Sequence, residues 1–301
     1  MLGLGFSSSK PNATDLWSAT KYLYLPGSSE SYARVQSFSD FLNRISDTGS
    51  DDIADTLTVS FWVMPIWAMG ASGTNQNVET AGGTQNNVPL VVFGNTSTEK
   101  DRLRAVYMID TGSGSDRNRI MIQAMDASGN QERDEAFLHD ANHSITNLGS
   151  ALSNTGVSSG WWHSGNKGNV NSKDFVHLCF VRSSGDWTIY WNSQALGGSL
   201  DFDSGTLGFD EGNVDEFWLG RSFVNQDYFQ MGYRDIAYFN AALTLSQVQE
   251  LYNSGDFFDV RTHSQAAKLG LYWPCNDVSE LSGAGLKAKL DLRGQATFRT
   301  L

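Results

Sequence analysis

The stretch GWWHSGN, residues 160–166, is the best candidate for a ligand-binding site in this 301-residue sequence. Trp161 and Trp162 are adjacent, His163 follows them, and glycine and polar residues lie on both sides. An exposed aromatic ring binds the apolar face of a sugar, while polar neighbours hydrogen-bond the sugar hydroxyls. The stretch therefore predicts glycan contacts through Trp161, Trp162 and His163. Two alternatives remain open, because loop tryptophans also pack on the sheet beneath them or on a neighbouring subunit.

Two histidines, His139 and His143, have the i, i+4 spacing of a helical metal-binding pair. Asn and Ser residues surround them and make a poor helix, so a surface loop is the better interpretation. The sequence contains no Gly-x-Ser-x-Gly, P-loop or Cys-x-x-Cys motif. Cys179 and Cys275 are too few for a disulfide scaffold, and a bridge between them is not expected.

The composition predicts an all-β protein that does not bind nucleic acid. There are 30 glycines against 5 prolines, and 12% of the residues are aromatic, which is typical of many short strands joined by turns. The net charge is −12 with scattered Lys and Arg, so phosphate backbones and anionic membranes would be repelled. Residues 1–17 lack the basic and continuous apolar regions typical of a signal peptide, and no apolar run approaches the roughly 20 residues that span a bilayer. We therefore expect synthesis in a cytoplasm and no membrane insertion.

Period-two alternation of apolar residues predicts the main strands. It is clearest in LTVSFWVMP and in the hairpin FVHLCFVRSSGDWTIYWNS, residues 175–193. Both faces of the hairpin's first strand are apolar, which predicts a strand covered on both sides. In its second strand Trp187 and Trp191 share one face and are expected to pack in the core. Pro65 is expected to end its strand or to mark a sheet edge.

Other segments carry weaker signals. KYLYLPGSSESYARV predicts a strand, a turn and a second strand, NQERDEAF predicts a solvated acidic turn, and residues 68–88 and 139–174 predict long polar loops. One short helix is predicted near the C-terminus, with a Thr244–Gln247 capping box and an end at Gly255. Its buried face is expected to consist of Leu245, Val248, Leu251 and Tyr252. Residues 1–16 are interpreted as an N-terminal arm, and residues 17–301 as one domain.

The order of these segments resembles the laminin-G-like branch of the concanavalin A-like lectin/glucanase superfamily. The matching segments are the KYLYLPGSSESYARV pair, the TVSFWVMP strand, the His-then-Asn hairpin, and FWLGRSF with FQMGYRDIAYFN and the closing helix. LYWPCND and LDLRGQATF are similar to the family's terminal strand pair. The sequence departs from the family at Asn192-Ser193, where Asn-Gly is usual. The resemblance implies a two-sheet antiparallel jelly-roll sandwich.

The single domain and the polar insertions also look like the laminin-G-like proteins of tailed bacteriophage particles. This resemblance implies a non-enzymatic virion protein, either a capsid decoration, a head fibre or a tail appendage. Its partners would be capsid or tail proteins of the same particle, with a host-surface glycan as a further ligand. Such a protein would be oligomeric in the assembled particle. A free lectin is the nearest alternative.

The superfamily resemblance has two consequences for chemistry. Laminin-G-like domains hold calcium at a sheet rim through hard oxygen ligands, which makes Asp110, Asp116 and Asp227 the calcium candidates. The superfamily also contains glycosidases, whose paired carboxylates lie on one face of a strand. The nearest match here is DEGNVDEFW, where Asp215 and Glu216 are adjacent and would face opposite sides. A polysaccharide-degrading enzyme that uses Glu211 or Glu216 is the remaining alternative.

Overall fold

Alternating apolar residues build two β-sheets in the computed structural model of the chain. For some of the strand residues, Asp110 and His163 among them, only the backbone is described. The residues that the structure describes are 20–26, 31–36, 56–67, 85–95, 100–110, 117–125, 131–139, 163–164, 175–184, 186–196, 200–201, 214–221, 230–282 and 288–301.

The strands follow one another along the whole described chain, with one α-helix late in the sequence. They are β1 (Lys21–Pro26), β2 (Ala33–Val35), β3 (Thr56–Trp67), β4 (Gln85–Asn95), β5 (Lys100–Asp110), β6 (Arg117–Met125), β7 (Gln131–His139), β8 (His163–Ser164), β9 (Val176–Ser183), β10 (Asp186–Trp191), β11 (Gln194–Ala195), β12 (Leu200–Asp201), β13 (Glu216–Leu219), β14 (Gln230–Phe239), β15 (Leu269–Trp273), β16 (Asp291–Leu292) and β17 (Thr297–Thr300). The α-helix of the described residues, α1 (Leu245–Tyr252), lies between β14 and β15, and short 3-10 turns follow it.

The chain passes repeatedly between the two sheets. Sheet A has the order β11-β10-β9-β3-β14-β1-β17, with β15 also paired to β14 and β8 to β3. Sheet B has the order β12-β7-β6-β5-β4-β13-β2-β16. All pairs are antiparallel except β8 with β3, which is parallel. An antiparallel two-sheet sandwich whose strands alternate between sheets is a jelly roll, so the predicted fold class is confirmed.

The main core lies between the facing sides of the two sheets. The predicted inward residues of β3 belong to it, and so do both tryptophans of the β9–β10 hairpin: Leu57, Val59, Phe61, Val63, Trp187 and Trp191. Phe217 of sheet B stacks on Trp273 of sheet A, with ring centroids 4.7 Å apart. This packing joins the sheets through large aromatic side chains, which bury more apolar area than any other residues.

The other face of sheet A is also covered, as the two apolar faces of β9 predicted. Val248 and Leu251 of α1 are buried there with Cys179 and Val181 of β9. Next to them, Trp62 of β3 packs edge-on against Phe257, with centroids 5.4 Å apart. Cys179 and Cys275 are buried and unbridged, in agreement with the sequence. Among the described helices, none is long and apolar enough to cross a bilayer.

Several expectations about local structure were wrong. β1 and β2 are not a hairpin, because β1 pairs with β14 and β17 in sheet A while β2 pairs with β13 and β16 in sheet B. The predicted acidic turn is part of strand β7, which pairs along β6. β3 does not end at Pro65 but continues to Trp67, although its pairing with β9 stops at Val63. β4 begins at Gln85, inside the predicted polar loop.

Two further wrong expectations concern α1. Leu245 is 48% exposed, so it does not belong to the buried face. The helix ends in a left-handed residue at Asn253, two residues before the predicted Gly255. Its start is as predicted: the Thr244 backbone N–H donates to Gln247 Oε1 at 2.9 Å, one half of the capping box.

Candidate functional site

One end of the sandwich, called here the loop end, collects the strand ends that flank the candidate residues. In sheet A, Pro26 at the end of β1 pairs with Gln230 at the start of β14. In sheet B, Gln85 at the start of β4 pairs with Asp110 at the end of β5. The turn at residues 293–296 joins β16 to β17 and thereby links the two sheets at this end. Strand pairing alone therefore defines the loop end.

The predicted glycan and calcium residues all lie, in sequence, at or near strand ends that belong to the loop end. Asp110 is the last residue of β5, and His163 is the first of β8, where it pairs with Ile66 of β3. Both are described by their backbone. The other four predicted residues lie outside the described ranges, each in or beside a connection that starts or ends at the loop end: Trp161, Trp162, Asp116 and Asp227. The topology brings the flanking strand ends together, and the ligand contacts themselves stay predictions.

A stack of two aromatic rings and one arginine occupies the described part of this end, on the outer side of sheet B. The rings of Tyr32 and Trp218 are nearly parallel at 7°, with centroids 4.9 Å apart. The Arg221 guanidinium carbon lies 4.4 Å from the Trp218 centroid and 4.9 Å from that of Tyr32. Val92 of β4 is buried beside both rings. A cation over aromatic faces is attracted by the ring quadrupole, so the guanidinium is held in one place.

Gly220 makes the position of Arg221 possible. It follows β13 with φ of +72°, a conformation that favours glycine, and a Cβ there would overlap Leu25 Cδ1. The backbone therefore turns sharply after Leu219, and Arg221 lies over the ring of Trp218, three residues earlier. Any other residue at 220 would strain this turn.

Glu216 anchors the stack from the same strand. Trp218 Nε1 donates to Glu216 Oε2 at 2.6 Å, and Arg34 lies 3.6 Å from the other carboxylate oxygen. Burial raises the pKa of Glu216, and the Trp218 hydrogen bond and Arg34 oppose that rise only in part. Arg34 also pairs with Asp291 at 3.3 Å. Glu216, one of the two carboxylates that the glycosidase alternative names, is therefore part of the packing of sheet B, and the other, Glu211, lies outside the described residues.

The His-bearing hairpin is a buried structural element. His177 is 1% exposed, its Nε2 lies 2.8 Å from the Ser60 hydroxyl, and its backbone N–H donates to Asn192 Oδ1 at 2.9 Å. Burial lowers the pKa of His177 to about 3, so the ring is neutral at ordinary pH. The ring packs 5.1 Å from Trp62. Its role is to join β9 to β3 and β10.

The described side chains do not form a metal-binding cluster. Within the ranges that the structure describes, no three His, Cys, Asp or Glu side chains are close enough to hold a metal ion. His139 ends β7, and its side chain is not among those described. A calcium site at Asp110, Asp116 and Asp227 therefore stays a prediction.

Sequence reasoning missed the Tyr32–Trp218–Arg221 stack. The local signal was present in the spacing of Trp218, Gly220 and Arg221 within FWLGR. The partner ring comes from Tyr32, which precedes β2 and is far away in the sequence. The pairing of β2 with β13 brings the two rings together. Hydrophobic periodicity within a segment does not predict which distant strands pair.

The chain is a two-sheet antiparallel jelly-roll protein, and its fold is similar to several solved structures. A native heptameric SAP-like pentraxin from Limulus polyphemus has 11% identity and a TM-score of 0.42, over 78% of this chain and 82% of the pentraxin. A Bacteroides ovatus protein provisionally assigned as carbohydrate-binding has 11% identity and a TM-score of 0.47, over 94% of this chain and 60% of that one. The botulinum neurotoxin type G receptor-binding domain has 12% identity and a TM-score of 0.38, over 77% and 46%. No protein-family model and no curated protein matches the sequence.

Proposed function

We propose that the chain is a non-enzymatic, glycan-binding protein of the laminin-G-like branch, and that it serves as a structural or adhesion component of a tailed phage particle. The observation that carries the glycan proposal is the convergence of strand ends at the loop end. His163 of β8 follows Trp161 and Trp162, Arg117 of β6 follows Asp116, and Gln230 of β14 comes three residues after Asp227. Each of these three residues belongs to a strand that starts or ends at the loop end. A sugar site brings aromatic and polar groups from separate segments together. The strand topology supports this arrangement, because the connections that carry these residues start or end at the loop end.

Calcium is the proposed cofactor of this site. Asp110, Asp116 and Asp227 would supply hard carboxylate oxygens, which Ca²⁺ prefers, along with backbone carbonyls. A bound ion raises the apparent stability of the folded protein by mass action. Thermal unfolding in Ca²⁺ and in chelator should therefore differ for the native protein. The difference should vanish when the three aspartates are replaced by asparagine, and equal unfolding temperatures in Ca²⁺ and chelator would remove calcium from the proposal.

The non-enzymatic part of the proposal is supported by the contacts of Glu216. Its carboxylate accepts the Trp218 indole hydrogen bond and faces Arg34, and it is buried. A catalytic acid or nucleophile must instead reach the glycosidic bond. We expect no product release from a panel of β-glucans. Hydrolysis that is lost in both Glu211→Gln and Glu216→Gln would establish the glycosidase alternative.

Assembly into a particle would let weak sugar contacts add up. Several copies on one particle raise the effective concentration of each further site, so avidity exceeds single-site affinity. Two measurements test this part: the oligomeric state by light scattering, and co-sedimentation with purified tailed-phage capsids and tails. A protein that is strictly monomeric and sediments with neither would not be a virion component.

Glycan binding itself is tested on a glycan array with chelator and Ca²⁺ arms. The variant is Trp161→Ala with Trp162→Ala, and the control is Leu245→Ala, which instead removes an exposed apolar side chain at the first residue of α1. We expect array signal for the native protein and the control, and its loss in the double variant. If both variants bind alike, the two tryptophans do not contact the sugar.

A further inference from the structure

We propose that the outer edge of strand β17 is an interface between copies of this chain, and that two copies pair there, β17 against β17, across a two-fold axis. This inference rests on the assembly part of the proposed function and names the surface through which the copies meet. β17 is the last strand of sheet A and pairs with β1 on one side. Among the strands that the structure describes, none pairs with its other side.

Two residues of β17 direct their backbone groups away from β1. The Leu301 N–H donates to the Thr20 carbonyl at 2.9 Å, in the same register as the pairing of β1 with β17. Because hydrogen-bonded and non-bonded pairs alternate along an antiparallel ladder, every second residue of β17 bonds β1. Phe298 and Thr300 are the residues between, so their N–H and C=O groups face the outer edge. Such a row of backbone groups is a template for a further strand.

The devices that usually prevent pairing at a sheet edge are missing from β17 itself. Such edges carry a proline, a bulge or a charge directed outward. β17 contains no proline, and its pairing with β1 has no register shift. Its one charged residue is Arg299, whose guanidinium carbon lies 3.3 Å from the ring centroid of Tyr24 on β1. The charge is therefore held over the neighbouring strand, away from the outer edge.

The main core also reaches the surface on this side of the sandwich. β16 is the last strand of sheet B, and the turn at residues 293–296 joins it to β17. Most of the partly buried apolar residues that pack against the core within the described ranges belong to this side: Val278, Leu292, Ala296 and Phe298. Val278 is placed here because its carbonyl accepts the N–H of Leu290, just before β16. A second copy would remove these side chains from water.

The order of charges at this edge identifies a second copy as the partner. β16 and the residue after it read Asp291, Leu292, Arg293, and a two-fold axis reverses this order in the other copy. Asp291 of one copy then approaches Arg293 of the other, and these side chains are 34% and 43% exposed. Each copy carries a net charge of −12 and repels another over most of its surface. Here Asp291 is balanced by Arg34 and Arg293, so this edge can approach its own copy.

The outward-facing backbone groups also fix the register of β17 on β17. A pair centred on Phe298 joins these groups in the two copies and places the two Phe298 rings opposite each other. In that register Arg299 lies opposite Thr297. A pair centred on Arg299 would instead place two like charges opposite each other, which is unfavourable. Opposed aromatic rings are favourable across an antiparallel pair, so the register centred on Phe298 is the expected one.

The test measures association of the native protein by sedimentation velocity. An edge of four residues with its flanking side chains is smaller than a standard stable interface, so we expect a dissociation constant of about 10 μM to 1 mM. The mean mass should therefore rise with concentration from 33.0 kDa towards twice that value. Thr300→Pro removes an outward N–H donor and leaves the bonds to β1. It should weaken the dimer by about tenfold to a hundredfold, because two backbone hydrogen bonds are lost.

The opposite edge of sheet A offers a matched control. Leu196 N–H donates to the Ile189 carbonyl at 2.8 Å, so by the same alternation the N–H of Ala195 in β11 faces away from β10. Ala195 is exposed and β11 is the last strand on that side. Ala195→Pro thus removes an outward donor from the other edge, and it should leave the dimer unchanged. Circular dichroism of both variants confirms that the fold is kept.

Cysteine substitution tests the register independently of the proline variants. In the register centred on Phe298, the two Cα atoms at position 298 lie about 5.5 Å apart, within the range of a disulfide. The two Cα atoms at position 300 lie about 14 Å apart, outside that range. Phe298→Cys should therefore form a covalent dimer on oxidation, whereas Thr300→Cys should not. Cys179 and Cys275 are buried and do not compete.

The outcomes separate this inference from the proposed glycan binding. A dimer that is weakened by Thr300→Pro alone and is cross-linked at position 298 alone supports it. A native protein that stays monomeric at every concentration overturns it and leaves the edge to a segment of the same chain or to another particle protein. Equal weakening by the two proline variants, or equal cross-linking of the two cysteine variants, also overturns it. A dimer without sugar binding would refute the glycan proposal alone, and sugar binding by a permanent monomer would refute this inference alone.

Discussion

Replacing His177 by Phe should change how the stability of the protein depends on pH. The ring is fully buried and neutral in the folded state, because burial lowers the pKa of His177 to about 3 from its ordinary 6.5. In the unfolded chain the same ring takes up a proton as the pH falls below 6.5. Acid therefore favours the unfolded state between pH 6.5 and about 3, and phenylalanine, which does not titrate, removes this effect.

The size of the effect follows from the separation of the two pKa values. Each pH unit below 6.5 lowers the free energy of unfolding of the native protein by about 1.36 kcal/mol through this one group. Acidification from pH 7 to pH 4 should therefore cost about 3 kcal/mol. At pH 7 the variant should be less stable by about 1–2 kcal/mol, because the Ser60 hydroxyl loses its contact with His177 Nε2. The two stability curves should cross between about pH 6 and pH 5.

Urea unfolding followed by tryptophan fluorescence at half-unit pH steps measures both curves. Carboxylates also titrate in this range, but the native protein and His177→Phe share them, so the difference between the curves isolates His177. Asn192→Ala is a useful control, since it removes the Oδ1 acceptor of the His177 backbone N–H without changing a titrating group. A difference between native protein and His177→Phe that stays constant from pH 7 to pH 4 would refute the reasoning.

Three other results are expected. Burial raises the pKa of the unbridged Cys179 and Cys275 thiols, so Ellman's reagent should react with neither in native buffer and with both in urea, and fast native labelling would contradict their burial. Gly220→Ala should lower the free energy of unfolding by about 1–3 kcal/mol, because φ is +72° and a Cβ would overlap Leu25, and an unchanged urea midpoint would count against this turn. Gln247→Ala removes the acceptor of the Thr244 N–H and should cost about 0.5–1 kcal/mol in the same assay, whereas no loss would mean that the capping contact is not formed.

Local periodicity predicted two kinds of strand: those that alternate between two faces, and those that are apolar on both faces. β3 alternates cleanly, and both apolar faces of β9 correctly predicted that it is covered on both sides. Trp187 and Trp191 share the core-facing side of β10, as a period of two requires. These signals are carried by neighbouring residues, so the sequence alone contains them.

Pairing between distant segments could not be predicted in this way. Six residues separate β1 from β2, and they begin with Gly27 and two serines, a composition typical of a hairpin turn. The two strands nevertheless join different sheets. β7 carries charged residues throughout QERDEA, so its composition indicated a turn, but its hydrogen bonds to β6 make it a strand. In both cases tertiary contacts overrode the local preference.

The candidate site was predictable only as a set of residue types. Aromatic residues in a polar connection indicated sugar contacts at Trp161 and Trp162, and the family resemblance implied calcium at Asp227, but neither showed where the connections meet. Strand register supplies the loop end, and it adds Arg221 and its aromatic stack, which depend on a contact with Tyr32 across the sheet.

The central claim, that the loop end binds a glycan without hydrolysing it, is tested most directly by titrating one array-positive oligosaccharide into the native protein. Calorimetry gives the affinity, and chromatography of the same sample after incubation shows whether the sugar is intact. We predict saturable binding that is lost in Trp161→Ala with Trp162→Ala, kept in Leu245→Ala, and accompanied by an unchanged sugar. Binding that survives loss of both tryptophans, or a cleaved oligosaccharide, would contradict the account.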